Sequence, residues 1–145
     1  MTQIRPKLST KNELYIDKHA FYMAFHFALQ YPTWKQQYAE LIGSASKAID
    51  YNGMPHGSSV GDPTARIAIR SSIVRSNIEL VERIALTAGR DLAEYLLIGV
   101  TQEGVTFDTL ALRHNMPCGR TKYYNMRRMF YYLLSQALEE RGLKS

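Results

Sequence analysis

Apolar side chains recur along this chain at three- and four-residue spacing, and proline, glycine and capping residues cut that spacing again and again. Nowhere do apolar and polar residues alternate over the length of a strand, and β-branched pairs such as Ile67 and Ile69 sit inside helical spacing. A chain patterned in this way buries helix against helix, so the expected fold class is all-α. Thr10 and Glu13 form a capping box, in which the hydroxyl takes one free amide and the carboxylate reaches back to another. They open a helix with Leu14, Phe21, Phe25 and Ala28 on one side. Tyr31-Pro32 interrupts it, because proline disfavours the α conformation in the residue before it. Thr33 and Gln36 offer a second box, followed by a stripe of Trp34, Tyr38, Leu41, Ala45 and Ile49.

Residues 50–62 hold "DYNGMPHGSSVG" and then Asp62, a stretch rich in glycine and serine that reads as a linker. Asp62-Pro63 restarts helical structure, since Asp accepts free amides and proline has its φ preset for the first helical position. The helix over 63–88 is expected to run about 39 Å at 1.5 Å per residue. Its apolar set (Ile67, Ile69, Ile73, Val74, Ile78, Leu80, Val81, Ile84 and Ala85) is too broad for one surface stripe. Neighbouring helices or a second protomer must cover it, and a homo-oligomer is expected. Gly89 suits a left-handed C-terminal position. Asp91 and Glu94 restart a helix over 92–101, Gly104 breaks it, and Thr106 begins another. The expected organisation is N-terminal helices over 1–49, the linker, and a scaffold helix with a C-terminal unit over 63–145.

No apolar run approaches the roughly 20 residues that a helix needs to cross a bilayer. The N-terminal stretch shows no apolar signal core. The lone Cys118 permits no internal disulfide and fits a reducing compartment. A cytoplasmic protein without a membrane partner is expected.

Charge is unevenly placed. Residues 1–112 hold eleven Lys/Arg and eleven Asp/Glu, whereas residues 113–145 hold seven Lys/Arg against two Glu, so the whole net charge of +5 lies at the C-terminal end. A segregated basic end calls for a polyanionic partner. Within it, "RHNMPCGRTKYYNMRRMF" (113–130) carries five cations and three aromatics with no carboxylate. Pro117 prevents one continuous rod, so a short helix over 106–113 is followed by a turn and a long helix running to about 140. This is the outline of a helix-turn-helix. Tyr123, Met126, Phe130, Leu133 and Ala137 share one side of the long helix and are expected to pack inward. Thr121, Asn125 and Arg128 fall on another side, flanked by Arg120, Lys122 and Arg127.

Those residue types suit duplex DNA. Arginine places two donors on guanine O6 and N7, and asparagine bridges adenine N6 and N7. Lysine, threonine and the helix N-terminus bind phosphate and fix the register. The expected DNA contacts are Arg113, Arg120, Thr121, Lys122, Asn125, Arg127 and Arg128, with Arg120, Asn125 and Arg128 reading bases. The plainer alternative is a solvated basic face.

Three stretches, "LQYPTWKQQYAELIGSASKAI", "VGDPTA" and "GVTFDTLALRHNMPCGRTKYYNMRRMFYYLL", resemble phage-type transcriptional regulators of Gram-positive bacteria and their prophages, the RinA/ArpU-like proteins. The resemblance spans about Leu29 to Leu134. It implies a C-terminal part like the DNA-binding region 4 of sigma factors and a promoter-binding regulator of a phage or prophage operon, with RNA polymerase as a candidate further partner. Residues 106–130 match the family's DNA-reading unit.

Other constellations are weaker. His19, His26, His56 and His114 form no ligand spacing with Cys118, so no metal is expected. Cys118, beside Arg120 and a helix start, is either a thiol of lowered pKa or a small packing residue. The glycines at 53, 57 and 61 match no phosphate loop, and no catalytic triad or cofactor motif is present. A non-enzymatic, cofactor-free protein is expected. The rival readings are a phage DNA-packaging or replication accessory protein, and a helical adaptor whose basic end meets an acidic protein.

Overall fold

The computed structural model describes residues 13–50 and 63–144, apart from the side chains of 45–50, 143 and 144. The described residues form six α-helices and one 3-10 turn, with no strand among them, and the protein is all-α. The helices are α1 (Lys18–Leu29), α2 (Tyr31–Asp50), α3 (Pro63–Gly89), α4 (Ala93–Thr101), α5 (Phe107–His114) and α6 (Arg120–Lys144), with the 3-10 turn Arg90–Leu92 before α4. Among the described residues no helix is long and apolar enough to cross a membrane. The expectations for Thr10, Asp62, the linker beyond its first residue and the side chains of Ala45 and Ile49 lie outside the described residues; Asp50, the first residue of the expected linker, is the last of α2.

Among the described residues two compact units emerge, one made of 13–30 with 81–144 and the other of 31–50 with 63–80. The apolar side of α1 is covered by α6 and α4. Phe21, Ala24 and Ala28 are buried, and the Phe21 ring meets Tyr131 of α6 edge-on at 5.1 Å between centroids. Helix α1 also starts later than expected. Residues Tyr15 to Asp17 are not helical, and the Asp17 carboxylate caps the helix by accepting from the His19 amide at 3.0 Å.

In the unit built on α6, the buried side is Tyr123, Met126, Phe130, Tyr131 and Leu134. Leu133 and Ala137, expected inside, are only half-buried. The inward face is rotated toward Tyr131 and Leu134 because α1 lies on that side. Leu96 and Val100 of α4 complete the core with Leu110 of α5. Gly99 lets α4 and α6 approach: a Cβ there would collide with the Tyr123 hydroxyl. Gly89, expected to be left-handed, has φ −102°, and Arg90 takes the left-handed position instead at φ 50°. Gly89 lies close to α4: a Cβ there would stand 3.2 Å from Leu96 Cδ2, a tight contact from which the leucine methyl would have to shift by a few tenths of an ångström. The restart of α4 uses no side-chain cap, so Asp91 does not play the expected part.

In the other unit, α2 begins at Tyr31 with Pro32 in its first turn, so Thr33 is already helical and does not cap. Gln36 Nε2 donates instead to Glu40 Oε1 at 3.2 Å. The apolar set of α3 divides along its length. Ile78 and Leu80, and beyond them Val81, Ile84 and Ala85, are buried, while Ile69 and Ile73 are 60% and 58% exposed.

Candidate nucleic-acid interface

The segment joining α4 to α6 is built from local signals that agree with one another. Gly104 turns the chain at φ 80°, and Thr106 caps α5 by accepting the Thr109 amide on its hydroxyl at 3.3 Å. Helix α5 ends at Asn115, whose φ of 53° and ψ of 48° are left-handed, a conformation that asparagine tolerates. The Met116 amide then donates back to the Leu110 carbonyl at 3.3 Å, closing the helix end over two buried side chains. Pro117, Cys118 and Gly119 carry the chain to Arg120, and the Tyr123 amide donates to the Gly119 carbonyl at 3.1 Å to start α6. Tyr123 anchors that start. It is fully buried, and its ring lies 5.9 Å from that of Phe107 in α5. Burial drives its hydroxyl pKa strongly upward, with the Arg127 charge opposing.

The first turn of α6 contains no acidic residue, and it carries Arg120 and Lys122. Cations at this end oppose the partial positive charge of the free amides, by roughly 0.3–1 kcal/mol each. The helix therefore forgoes stability at the point where an anion would be best received. Arg120 recovers part of it by pairing with Asp108 of α5 at 2.7 Å and lying over the Phe107 ring at 5.2 Å. That ion pair is open to solvent, at 59% and 66% exposure, so exchanging Asp108 for another anion costs about 0–1 kcal/mol.

The residues expected at the interface fall into three groups. Thr121, Lys122 and Asn125 are exposed along the N-terminal half of α6, and Arg113 is exposed in the last turn of α5, where it also suits the helix end. Arg128 is half-buried; it donates from Nη1 to Asn125 Oδ1 at 3.1 Å, and its Nε is buried without a hydrogen-bond partner. This bond fixes the Asn125 amide yet leaves its NH2 free to donate and one oxygen lone pair free to accept. Arg127 is the correction. It is only 2% exposed, and its guanidinium lies 4.9 Å from the Tyr131 ring centroid, so it belongs to the core beneath α1 rather than to the surface. Position 127 follows Tyr123 by four residues and precedes Phe130 by three, which sets it on the inward face.

Two residues at the site were missed in the sequence. Thr87 and Arg90, at the end of α3 and in the 3-10 turn, face Thr121, Lys122, Asn125 and Met129 across an open cleft of about 570 Å³. No carboxylate lines this cleft. No sequence pattern links Arg90 to α6, because the fold alone brings them together. Cys118 stands nearby and half-buried; burial raises its thiol pKa more than Lys122 lowers it, which removes the activated-thiol reading. No known family, curated protein or solved structure matches the chain.

Proposed function

We propose that α5, the Asn115–Gly119 turn and α6 form a helix-turn-helix that docks α6 on duplex DNA, and that the protein is a sequence-specific transcriptional regulator. The observation that carries this reading is the N-terminal half of α6. It places Thr121, Lys122 and Asn125 in solvent on a helix end without acidic residues, while Tyr123 holds that end rigidly on α4 and α5. Stability is given up there for positive potential, and the residue types left exposed are those that meet phosphates and base edges.

The mechanism is equilibrium binding. Lys122 and Arg113 contact phosphates. Arg120 exchanges Asp108 for the nucleic acid, and Asn125 and Arg128 present one fixed donor–acceptor surface to a base pair. Arg127 has no part in the contact and supports α6 from within. The resemblance to phage-type regulators makes the operon of a phage or prophage the proposed target, with RNA polymerase as a further proposed partner.

Titration of fluorescent duplexes at several salt concentrations tests the reading. Log affinity should fall with log salt by roughly 0.9 per phosphate contacted. Lys122→Ala should flatten that slope by about one unit on every sequence, whereas Asn125→Ala should cost about 1–3 kcal/mol selectively on the preferred one. A flat salt response with unchanged variants would leave only a solvated basic face. An adaptor for an acidic protein would bind that partner after nuclease treatment and show no preference among duplexes. A packaging accessory would bind DNA but leave a promoter fusion unchanged.

A further inference from the structure

The fold brings two cations from distant parts of the chain to the lining of one open cleft of about 570 Å³ beside α6. Arg90 comes from the connection after α3 and Lys122 from the first turn of α6, and Thr121 and Asn125 belong to the same lining. Among the described residues neither cation is held in an ion pair, in contrast to Arg120, which is paired with Asp108. The Thr87 hydroxyl donates to the Arg83 carbonyl at 3.0 Å, so on this cleft the charged donors are those of Arg90 and Lys122. The backbone adds to this picture. Arg90 is held at φ 50°, a conformation that favours glycine, while the adjacent Gly89 is in ordinary helical geometry. Such a backbone outlier at a residue that lines a cleft motivates a functional hypothesis.

We infer that Arg90 and Lys122 together clasp a backbone phosphate of the duplex, at the edge of the base-reading surface; this rests on the DNA-binding reading above. The clasp joins the α3–α4 connection to the DNA and sets the rotation of α6 about its own axis, because one cation is on the helix and the other is outside it. Contacts to phosphate fix register and orientation without carrying sequence information. Arg90 therefore acts equally on preferred and unrelated sequences.

Two variants of the full chain test this. Arg90→Gly removes the side chain and relieves the left-handed backbone, and Arg90→Gln removes the charge while leaving the backbone as it was. Both should weaken specific and unrelated duplexes by the same factor and reduce the salt slope by about 0.9. The Gly variant should melt above the wild type and the Gln variant beside it, so weaker binding would not reflect unfolding. If the wild type binds duplex with a steep salt dependence and both variants keep its slope, the clasp is wrong while the DNA reading stands. If the wild type shows no salt-dependent binding at all, both fall.

Discussion

Replacing Gly99 by alanine tests how α6 is seated. In an isolated helix the change would stabilise, since alanine is favoured over glycine by about 1 kcal/mol. Here the new Cβ would collide with the Tyr123 hydroxyl oxygen and stand 3.1 Å from Cζ and 3.3 Å from Cε1. The tyrosine has nowhere to retreat: it is 1% exposed, with Phe107 at 5.9 Å and Tyr124 at 5.0 Å between ring centroids. Overpacking of this kind costs about 1–3 kcal/mol, and a clash on three atoms of a confined ring belongs to the upper half of that range. Subtracting the helix gain leaves Gly99→Ala destabilised by about 1–2 kcal/mol, a fall of several degrees in melting temperature. Tyr123→Phe removes the atom in hardest conflict, so the double variant should be more stable than the two single effects add to, with a coupling of about 1 kcal/mol. Thermal melts of the four proteins followed by circular dichroism give the cycle. A Gly99→Ala protein that melts above the wild type would refute the close seating of Tyr123 on α4.

Three further outcomes are expected. Arg127→Ala should lower stability by about 2–3 kcal/mol, through lost packing and a desolvated cation–π contact with Tyr131, while the salt slope of duplex binding stays unchanged; chemical denaturation beside the DNA titration checks both halves. Burial holds the hydroxyl pKa values of Tyr123 and Tyr131 above the ordinary value of about 10. Their folded values are raised, so their contribution is intact below pH ~10 and is lost as pH rises from there toward the folded values; alkaline melts should fall in that window, with Tyr123→Phe reducing the fall. The exposure of Ile69 and Ile73 on α3 leads us to expect a dimer or larger assembly, and light scattering that gave 16.6 kDa at tens of micromolar protein would reject it.

The helices around the proposed interface were legible because their signals are local. Thr106 caps α5, Pro63 opens α3, and Pro117 falls between α5 and α6, each acting on its nearest neighbours in the chain. The start of α1 was not: the Thr10–Glu13 pattern points to an earlier start, whereas Tyr15 to Asp17 are not helical and the Asp17 carboxylate supplies the cap. Gly89 misled for a different reason: it packs closely on Leu96 in right-handed geometry, and the left-handed position is the next residue, Arg90. Arg127 reads from the sequence as a flank of the Thr121, Asn125 and Arg128 side, although its spacing from Tyr123 and Phe130 also sets it on the inward face, where it is buried. The rotation of the buried face toward Tyr131 and Leu134 needed knowledge of where α1 lies, and so did the grouping of α1 with α6.

The most direct test of the central claim is to watch backbone amides of the isotope-labelled full chain by nuclear magnetic resonance while a duplex is added. The account predicts that shifts concentrate on Gly119–Arg128, Arg113 and Arg90, and that they shrink as salt is raised. The cleft lined by Asp17 and His19 at the start of α1 and by Gln136 and Glu139 of α6 should stay still. Shifts centred on that acidic cleft, or none at Thr121, Lys122 and Asn125 under conditions where the protein binds, would contradict it.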